Sequence, residues 1–370
     1  MYIAARIVGI GCYLLLLVSM LYLIRHSSQK RMRSIYIVLL IGLCLMGAFY
    51  EPAPEADLFR IRIYADQFSH LSWPDFLHSL NAGTIGLSST PSAAIFYKIA
   101  ADIHLPELIP LISCLITFGT IFLVMFHTQK RFALSNAAVA MTLLWLLSAD
   151  FYMPTIATVR SYLASGLILL CIYREAKNGT IDLWNIFLYG IAITMHSIGL
   201  ILVAIRATAY VFQKNAKRWF RVLYVFILLF AMIKYRMYIF SSINYALAYI
   251  RSKNSYTYIW EQIILFLSLI VPYLAMHKIK HAGIANDPFL APFISIGRIT
   301  LLLSMLLCWQ FTIFQRLEFF AAIVNIPLIL YANKGAAGNG KWSVNTCSVT
   351  AVLMLVLTLS RGYLCSLKFW

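Results

Sequence analysis

The feature that most constrains this chain is a series of apolar runs, each roughly 20 residues long, the length at which an α-helix crosses a bilayer core. In lipid, every backbone N–H and C=O group must be paired within the protein, so such runs predict helices. A membrane β-barrel would show shorter segments of alternating hydrophobicity, which we do not find. We therefore predict an all-α, polytopic transmembrane helix bundle of about ten crossings, forming a single domain over residues 1–370.

Composition and charge agree with a membrane protein. The chain is 62% hydrophobic and 12% charged, whereas a soluble protein is about half apolar and a quarter charged. The formal net charge of +17 would suggest nucleic acid as the partner of a soluble protein. In a membrane protein, lysines and arginines instead mark cytoplasmic loops, so we expect no nucleic-acid partner. The seven cysteines have no metal-ligand spacing and are expected to be core residues.

The first connection, Arg25–Arg33, is basic and is predicted to face the cytoplasm, whereas the acidic segment Glu51–Asp57 is predicted to lie outside. This orientation places both termini outside. The first run lacks a small-residue cleavage site and is expected to be a retained helix. The candidate crossings are 3–24, 35–50, 107–126, 133–149, 154–173, 219–235, 259–276, 290–309, 312–331 and 343–360.

One apolar stretch has basic residues on both flanks. Residues 184–205 are long enough to cross, but they follow Arg174 and Lys177 and precede the basic segment 206–221. We predict a re-entrant helical hairpin over 184–212, in which 184–195 rises, the chain turns at His196, and 197–212 descends. The alternative is one ordinary crossing that violates the charge rule. Polar backbone at membrane depth must line protein or a water-filled cavity, so the hairpin predicts a cavity beside His196.

Two segments on the predicted outer face are too long to be simple connectors. Segment 51–106 contains amphipathic stretches at 57–80 and 92–102. Segment 236–258 is rich in tyrosine, which suits either stacking on sugar rings or the aromatic belt of a membrane interface.

Arginines within the apolar runs are candidate functional residues, because a charge at membrane depth is costly. Arg160 lies about two turns into the crossing that we expect to start at Pro154, beside Ser161 and Tyr162. Arg316 lies about one turn inside a later crossing, next to Gln315. A guanidinium offers a planar fork of donors suited to phosphate. The alternatives are a snorkelling side chain or an internal ion pair for Arg160 and an interfacial anchor for Arg316.

A carboxylate and two further arginines follow the second crossing. In the segment DLFRIRIY, Asp57, Arg60 and Tyr64 share one helical face, and Arg62 lies nearby. Such a carboxylate suits a general base or an acceptor for a sugar hydroxyl, although a solvated amphipathic face is equally compatible. His196 can relay a proton or donate a hydrogen bond, or it can be a satisfied core histidine. All these residues fall on the outer side under one topology, where a basic cavity suits an anionic lipid head such as a pyrophosphate.

These residues resemble, in their order and setting, the EpsG/Wzy-type polysaccharide polymerases of bacterial envelopes. The resemblance rests on the outer DLFR segment, the proline-led TPSAAIFYKIA segment and the arginine in ATVRSYLASGLIL. A histidine in ITMHSIGLI and the late Gln315-Arg316 pair complete it. The chain departs from the family where Ile61, not an aromatic residue, follows Arg60.

The resemblance implies a GT-C-like, metal-independent glycosyltransferase of the bacterial inner membrane, with no cofactor. It would transfer a growing chain between undecaprenyl-pyrophosphate-linked oligosaccharides at the periplasmic face, with membrane lipids and a chain-length regulator as further partners. Arg160 and Arg316 would hold the pyrophosphate, with Arg60, Arg62, Tyr64, Tyr162 and Gln315 in the substrate site. Either Asp57 or His196 would orient or deprotonate the acceptor hydroxyl.

Three other classes fit the sequence less well. A lipid-linked glycan flippase also needs a basic cavity, but one that opens to both sides. An O-antigen-ligase-like or acyl-transferring enzyme differs from a polymerase in its substrates. A purely structural membrane scaffold would leave the embedded arginines unexplained.

Overall fold

The computed structural model of the protein describes residues 2–52, 57–148, 151–212, 255–282, 284–308 and 310–334, together with six isolated positions between 218 and 233. Within these ranges the chain is all-helical, as predicted, and contains no β-strand. The predicted crossings 219–235 and 343–360 and most of segment 236–258 lie outside the described residues, apart from those isolated positions and 255–258. The helices are α1 Tyr2–His26, α2 Met32–Ala48, α3 Asp57–Ser69, α4 Trp73–Asn81, α5 Pro91–Asp102, α6 Leu108–Arg131, α7 Asn136–Ser148, α8 Tyr152–Ala157, α9 Val159–Asn178, α10 Leu183–Met195, α11 Ser197–Val211, α12 Ser255–His281, α13 Leu290–Leu306, α14 Phe311–Val324 and α15 Ile326–Ala332.

Two helical segments, Gln29–Ala48 and Leu108–Arg131, are long and apolar enough to cross a membrane. Helices α14 and α15, which meet at a bend of 53°, pass the same test only when they are taken together, as a broken span or a re-entrant loop. Several shorter apolar helices accompany them, including α7, α10, α11 and α13. The described part of the chain is therefore all-helical, with apolar helices that could span a membrane, and the number of about ten crossings stays a prediction.

Helix α6 lies at the centre of the bundle, where it packs against α2 and α9. The contact with α9 is close because Gly166 lies against Thr117, whose Cα would be 2.9 Å from an added Cβ. Helix α9 also packs against the hairpin helices α10 and α11. The hairpin and the central helix therefore share one partner, which carries Arg160 at its first turn.

The predicted hairpin is present, with α10 and α11 on either side of His196. Tyr189 of α10 donates a hydrogen bond to Glu175 of α9 at 2.6 Å, and Arg206 of α11 donates one to the same carboxylate at 2.6 Å. A continuous helix would separate Tyr189 from Arg206 by about 25 Å. The chain must therefore fold back at His196, and the alternative of one ordinary crossing is wrong.

The predicted crossing 154–173 is a broken helix. Its two parts, α8 and α9, meet at Thr158, which has non-helical backbone angles of φ −116° and ψ 50°. The carbonyl of Thr155, beside the break, accepts a hydrogen bond from Ser113 of α6 at 2.9 Å. This bond replaces the one that a continuous helix would supply from the N–H of Val159. Thr117 of α6 also donates to the carbonyl of Tyr162, inside α9, at 3.2 Å. Our expectation that Pro154 starts an unbroken helix is wrong.

Connections that we predicted to face the cytoplasm meet at one end of the bundle. Arg131, at the end of α6, pairs with Asp287 at 3.1 Å. Asn136 donates a hydrogen bond to the carbonyl of Ser27 at 2.6 Å. We call this the basic end. Segment 51–106 forms α3, α4 and α5, of which α3 and α5 pack together and match the predicted amphipathic stretches.

Candidate functional site

The site is built around an ion pair between α3 and α9. Asp57, the first residue of α3, lies with its Oδ2 atom 3.5 Å from Nη2 of Arg160. Its other oxygen lies 3.3 Å from Nη2 of Arg60, one turn further along α3. The side chains of Asp57 and Arg160 are 20% and 21% exposed, whereas Arg60 is largely exposed. One carboxylate thus holds two guanidiniums at the boundary between the bundle and its surroundings.

The break at Thr158 changes the setting of Arg160. The residue lies in the first turn of α9, not two turns inside a helix as we expected. A helix N-terminus has unpaired N–H groups and a positive end of the macrodipole, both of which favour an anion. A cationic side chain at this position gains nothing from its own helix. The N-terminus of α9 and the guanidinium of Arg160 therefore both favour an anion from outside α9. In this structure that anion is the carboxylate of Asp57.

Arg316 of α14 faces the same place. Its guanidinium lies within electrostatic range of Asp57, Arg160 and the Tyr162 hydroxyl. The side chain is partly buried. Among the described residues, Arg316 has no ion pair and no hydrogen bond. Glu318, two residues on, is buried and accepts a hydrogen bond from Ser268.

His196 lies at the corner of the hairpin, between α10 and α11. Its Nδ1 accepts a hydrogen bond from the backbone N–H of Ile198 at 3.1 Å and so caps α11. This bond assigns the ring proton to Nε2, which leaves Nε2–H as a donor. The ring lies within electrostatic range of both Arg316 and Arg160. His196 is therefore both the structural corner of the hairpin and a neutral group beside two cations.

Two tyrosines lie near these charged residues. Tyr162 is buried and its ring packs against Phe319 of α14, with centroids 4.3 Å apart. Tyr97 of α5 is 0% exposed and lies within electrostatic range of Arg160 and Asp57. Its hydroxyl has no hydrogen-bond partner in the described part of the chain. Sequence reasoning missed Tyr97, although it lies in the TPSAAIFYKIA segment, where an apolar helix places one hydroxyl on its buried face.

Other predicted residues have different positions. Arg62 donates a hydrogen bond to the carbonyl of Tyr50 at 3.1 Å, so it ties α3 to the end of the second helix. The hydroxyl of Tyr64 lies 2.9 Å from where a Cβ on Gly86 would be, so this side chain packs on the loop before α5. These contacts hold α3 against its neighbours, and the assignment of Arg62 and Tyr64 to the substrate site stays a prediction. Gln315 is partly buried next to Arg316.

Across the described ranges, no three His, Cys, Asp or Glu side chains lie close enough to hold a metal ion. The metal-independent chemistry that we expect stays a prediction. No protein-family model matches the sequence, and neither the curated proteins nor the solved structures give a match.

Proposed function

We propose that the protein is a membrane glycosyltransferase that polymerises oligosaccharides linked to undecaprenyl pyrophosphate, at the outer face of the bacterial inner membrane. The observation that supports this proposal most is the convergence of Arg160, Arg316, Asp57 and His196 from four separate elements. Arg60 and Arg160 share the carboxylate of Asp57, and Arg316 adds a further positive charge, so the site is net positive. A diphosphate supplies the missing negative charge and matches the forked donors.

The pyrophosphate of the donor lipid binds Arg316 and competes with Asp57 for Arg160. The pair between Asp57 and Arg160 is loose, at 3.5 Å, so an anion with more charge displaces it readily. His196 adds its Nε2–H as a further donor. In this arrangement the cations neutralise the charge that develops on the leaving group, which is the electrostatic form of catalysis.

Displacement of Asp57 from Arg160 frees a carboxylate beside the reacting carbon. The acceptor hydroxyl forms a bond to the anomeric carbon as the carbon–oxygen bond to the pyrophosphate breaks. Asp57 accepts the hydroxyl proton, and the pyrophosphate leaves on the two arginines. We favour Asp57 over His196 as the base, because Nδ1 of His196 already accepts a backbone hydrogen bond.

The crossings and the orientation belong to the same proposal. About ten helices cross the inner membrane, and the hairpin of α10 and α11 is re-entrant, with His196 reaching the outer half of the bilayer. The basic end, where Arg131 pairs with Asp287, then faces the cytoplasm. In this orientation, segments 51–106 and 236–258 fall on the periplasmic side.

Purified protein in detergent, given lipid-linked repeat units, tests the proposal. We expect a ladder of longer glycans on lipid from the wild type, and none from Arg160→Ala or Arg316→Ala. Arg33→Ala removes an exposed arginine of the first connection and should leave the ladder unchanged. Retained binding of the lipid without any product would favour a flippase, and normal ladders from both site variants would remove the proposed site.

A further inference from the structure

A second basic site lies apart from the one described above. A cavity of about 220 Å³ opens on the surface between α12 and α13. It is lined by Tyr273, Met276, His277, Lys280 and Arg298, so its polar groups include three that are cationic or can become so, and no carboxylate.

The α12 side of the cavity follows from helical spacing. Tyr273, His277 and Lys280 lie four and then three residues apart, which places them along one face of the helix. All three are exposed. This face of α12 therefore presents the ring of Tyr273 about two turns before the end of the helix, and the ammonium group of Lys280 in its last turn.

Arg298 contributes the charge from α13. The helix reads LAPFISIGRITLLLSML, so this arginine is its one charged residue. The side chain is exposed, and so are Leu302 and Met305, one and two turns further along. Exposed apolar neighbours indicate a surface that faces lipid. Neither Arg298 nor Lys280 forms an ion pair with any residue that the structure describes.

The depth of Arg298 matches a headgroup region. Helix α13 starts at Leu290, three residues after Asp287, which pairs with Arg131 at the basic end. Eight residues of helix carry Arg298 about 12 Å from that start, and a long arginine side chain can reach back toward the interface. Lys280 lies close to the same interface, in the last turn of α12. An anion at the interface can therefore contact both cations.

We propose that this cavity binds the phosphate of an anionic phospholipid, from the leaflet at the basic end of the bundle. The guanidinium fork of Arg298 grips two phosphate oxygens, and Lys280 adds a point charge. Tyr273 and Met276 contact the glycerol and the first acyl carbons. The occupant is a lipid and not free phosphate, because the lipid-facing Leu302 and Met305 border Arg298 on the same helix. This site does not depend on the proposed glycosyl transfer.

Native mass spectrometry of the full-length protein tests the inference, with phosphatidylglycerol, phosphatidylcholine and inorganic phosphate as probes. We expect phosphatidylglycerol to bind roughly tenfold more tightly than phosphatidylcholine, since each basic residue near the surface favours an anionic lipid. The paired substitutions Arg298→Gln and Lys280→Gln should bring this ratio close to one. Arg298→Lys, which keeps the charge and the fold but removes the fork, should give an intermediate ratio.

A matched control carries Lys30→Gln and Arg33→Gln, which remove two exposed cations from the first connection. This control should keep the wild-type preference, and inorganic phosphate at millimolar concentration should not displace the lipid. The inference is overturned if the cavity variant keeps the wild-type ratio, if the control loses it equally, or if inorganic phosphate displaces the lipid.

Discussion

Asp57 and Arg160 form an ion pair across the boundary between α3 and α9, with Oδ2 and Nη2 3.5 Å apart. The distance exceeds the usual 2.7–2.9 Å or so of a charged hydrogen bond. Arg160 also has an Nε that is buried without a hydrogen-bond partner in the described part of the chain. The pair therefore satisfies Arg160 only in part, which suits a residue that exchanges its carboxylate for a substrate anion.

Substituting Asp57→Asn should separate binding from turnover. The amide keeps the shape but frees Arg160, so polyprenyl pyrophosphate should bind with equal or greater affinity. Turnover should fall about 100-fold, because the proton acceptor is lost. Affinity measured by titration and kcat measured by glycan release check the two effects separately. Asp66→Asn, an exposed position on the same helix, is the control and should change neither quantity.

Tyr97→Phe should lower activity without lowering stability. The hydroxyl is buried and has no partner among the described residues, so its removal should leave the free energy of unfolding unchanged or raise it by up to about 1 kcal/mol. If the hydroxyl contacts substrate, kcat should fall roughly tenfold. Thermal unfolding in detergent and the glycan assay give the two readouts.

Tyr152→Phe is the matched control for Tyr97. Its hydroxyl donates a hydrogen bond to the carbonyl of Leu43 at 2.7 Å and is also buried. Loss of this bond should lower the free energy of unfolding by about 1 kcal/mol and leave kcat unchanged. Equal kcat in Tyr97→Phe and the wild type would mean that Tyr97 does not contact the substrate.

Much of the fold follows from the sequence, because apolar run length and loop charge are local signals. The turn at His196 was predicted within a residue, since basic residues on both flanks of one apolar stretch leave few other solutions. The break at Thr158 was not predicted. The carbonyl of Thr155 beside it is paired by Ser113 of α6, a donor from a different part of the chain.

Candidate site residues were predictable where the free-energy cost of placing a charge in the membrane singles out a residue. Arg160 and Arg316 lie in apolar runs, so their charge alone marks them. Asp57 was found because it neighbours two arginines. The contacts of Arg62 with the end of α2 and of Tyr64 with the loop before α5 were not predicted, since helical periodicity says which residues share a face but not what each face packs against. Tyr97 was missed because one tyrosine on an apolar face is typical of an ordinary core.

Gly199→Ala should disrupt the hairpin. A Cβ at Gly199 would lie 2.1 Å from the carbonyl oxygen of Ala192, which is backbone and cannot move aside. We expect the variant to yield little folded protein, as judged by gel filtration in detergent. Gly190→Ala is the control, because a Cβ there meets nothing within 4 Å. It should raise stability by up to about 1 kcal/mol, as expected inside a helix. Normal yield of Gly199→Ala would contradict this packing.

Removing one partner of the buried Glu175–Arg206 pair should destabilise the protein strongly. The two side chains are 4% and 11% exposed, so Arg206→Met leaves a buried carboxylate with only Tyr189 as a described partner. We expect a loss of about 3–5 kcal/mol, measured by unfolding in detergent. Adding Glu175→Gln to Arg206→Met should restore part of this loss, because the uncompensated charge disappears.

The exposed pair between Arg174 and Asp182 is the internal comparison. It lies at the same base of the hairpin, but its side chains are 33% and 37% exposed. Arg174→Met should therefore cost no more than about 1 kcal/mol from the pair and about 1 kcal/mol from the hydrogen bond that its Nε donates to Asn185 at 3.0 Å, which is less than the loss for Arg206→Met. A loss for Arg174→Met as large as that for Arg206→Met would show that burial does not decide the strength of these pairs.

The most direct test of the central claim is the affinity of the purified protein for undecaprenyl pyrophosphate, compared between wild type and Arg316→Ala. Arg316 has no ion pair or hydrogen bond to lose within the described part of the chain, so its removal should not unfold the protein. We expect an affinity at least tenfold weaker in Arg316→Ala, because charged hydrogen bonds contribute about 1.5–3 kcal/mol each. Equal affinity in a correctly folded variant would contradict the proposed binding of pyrophosphate by Arg316.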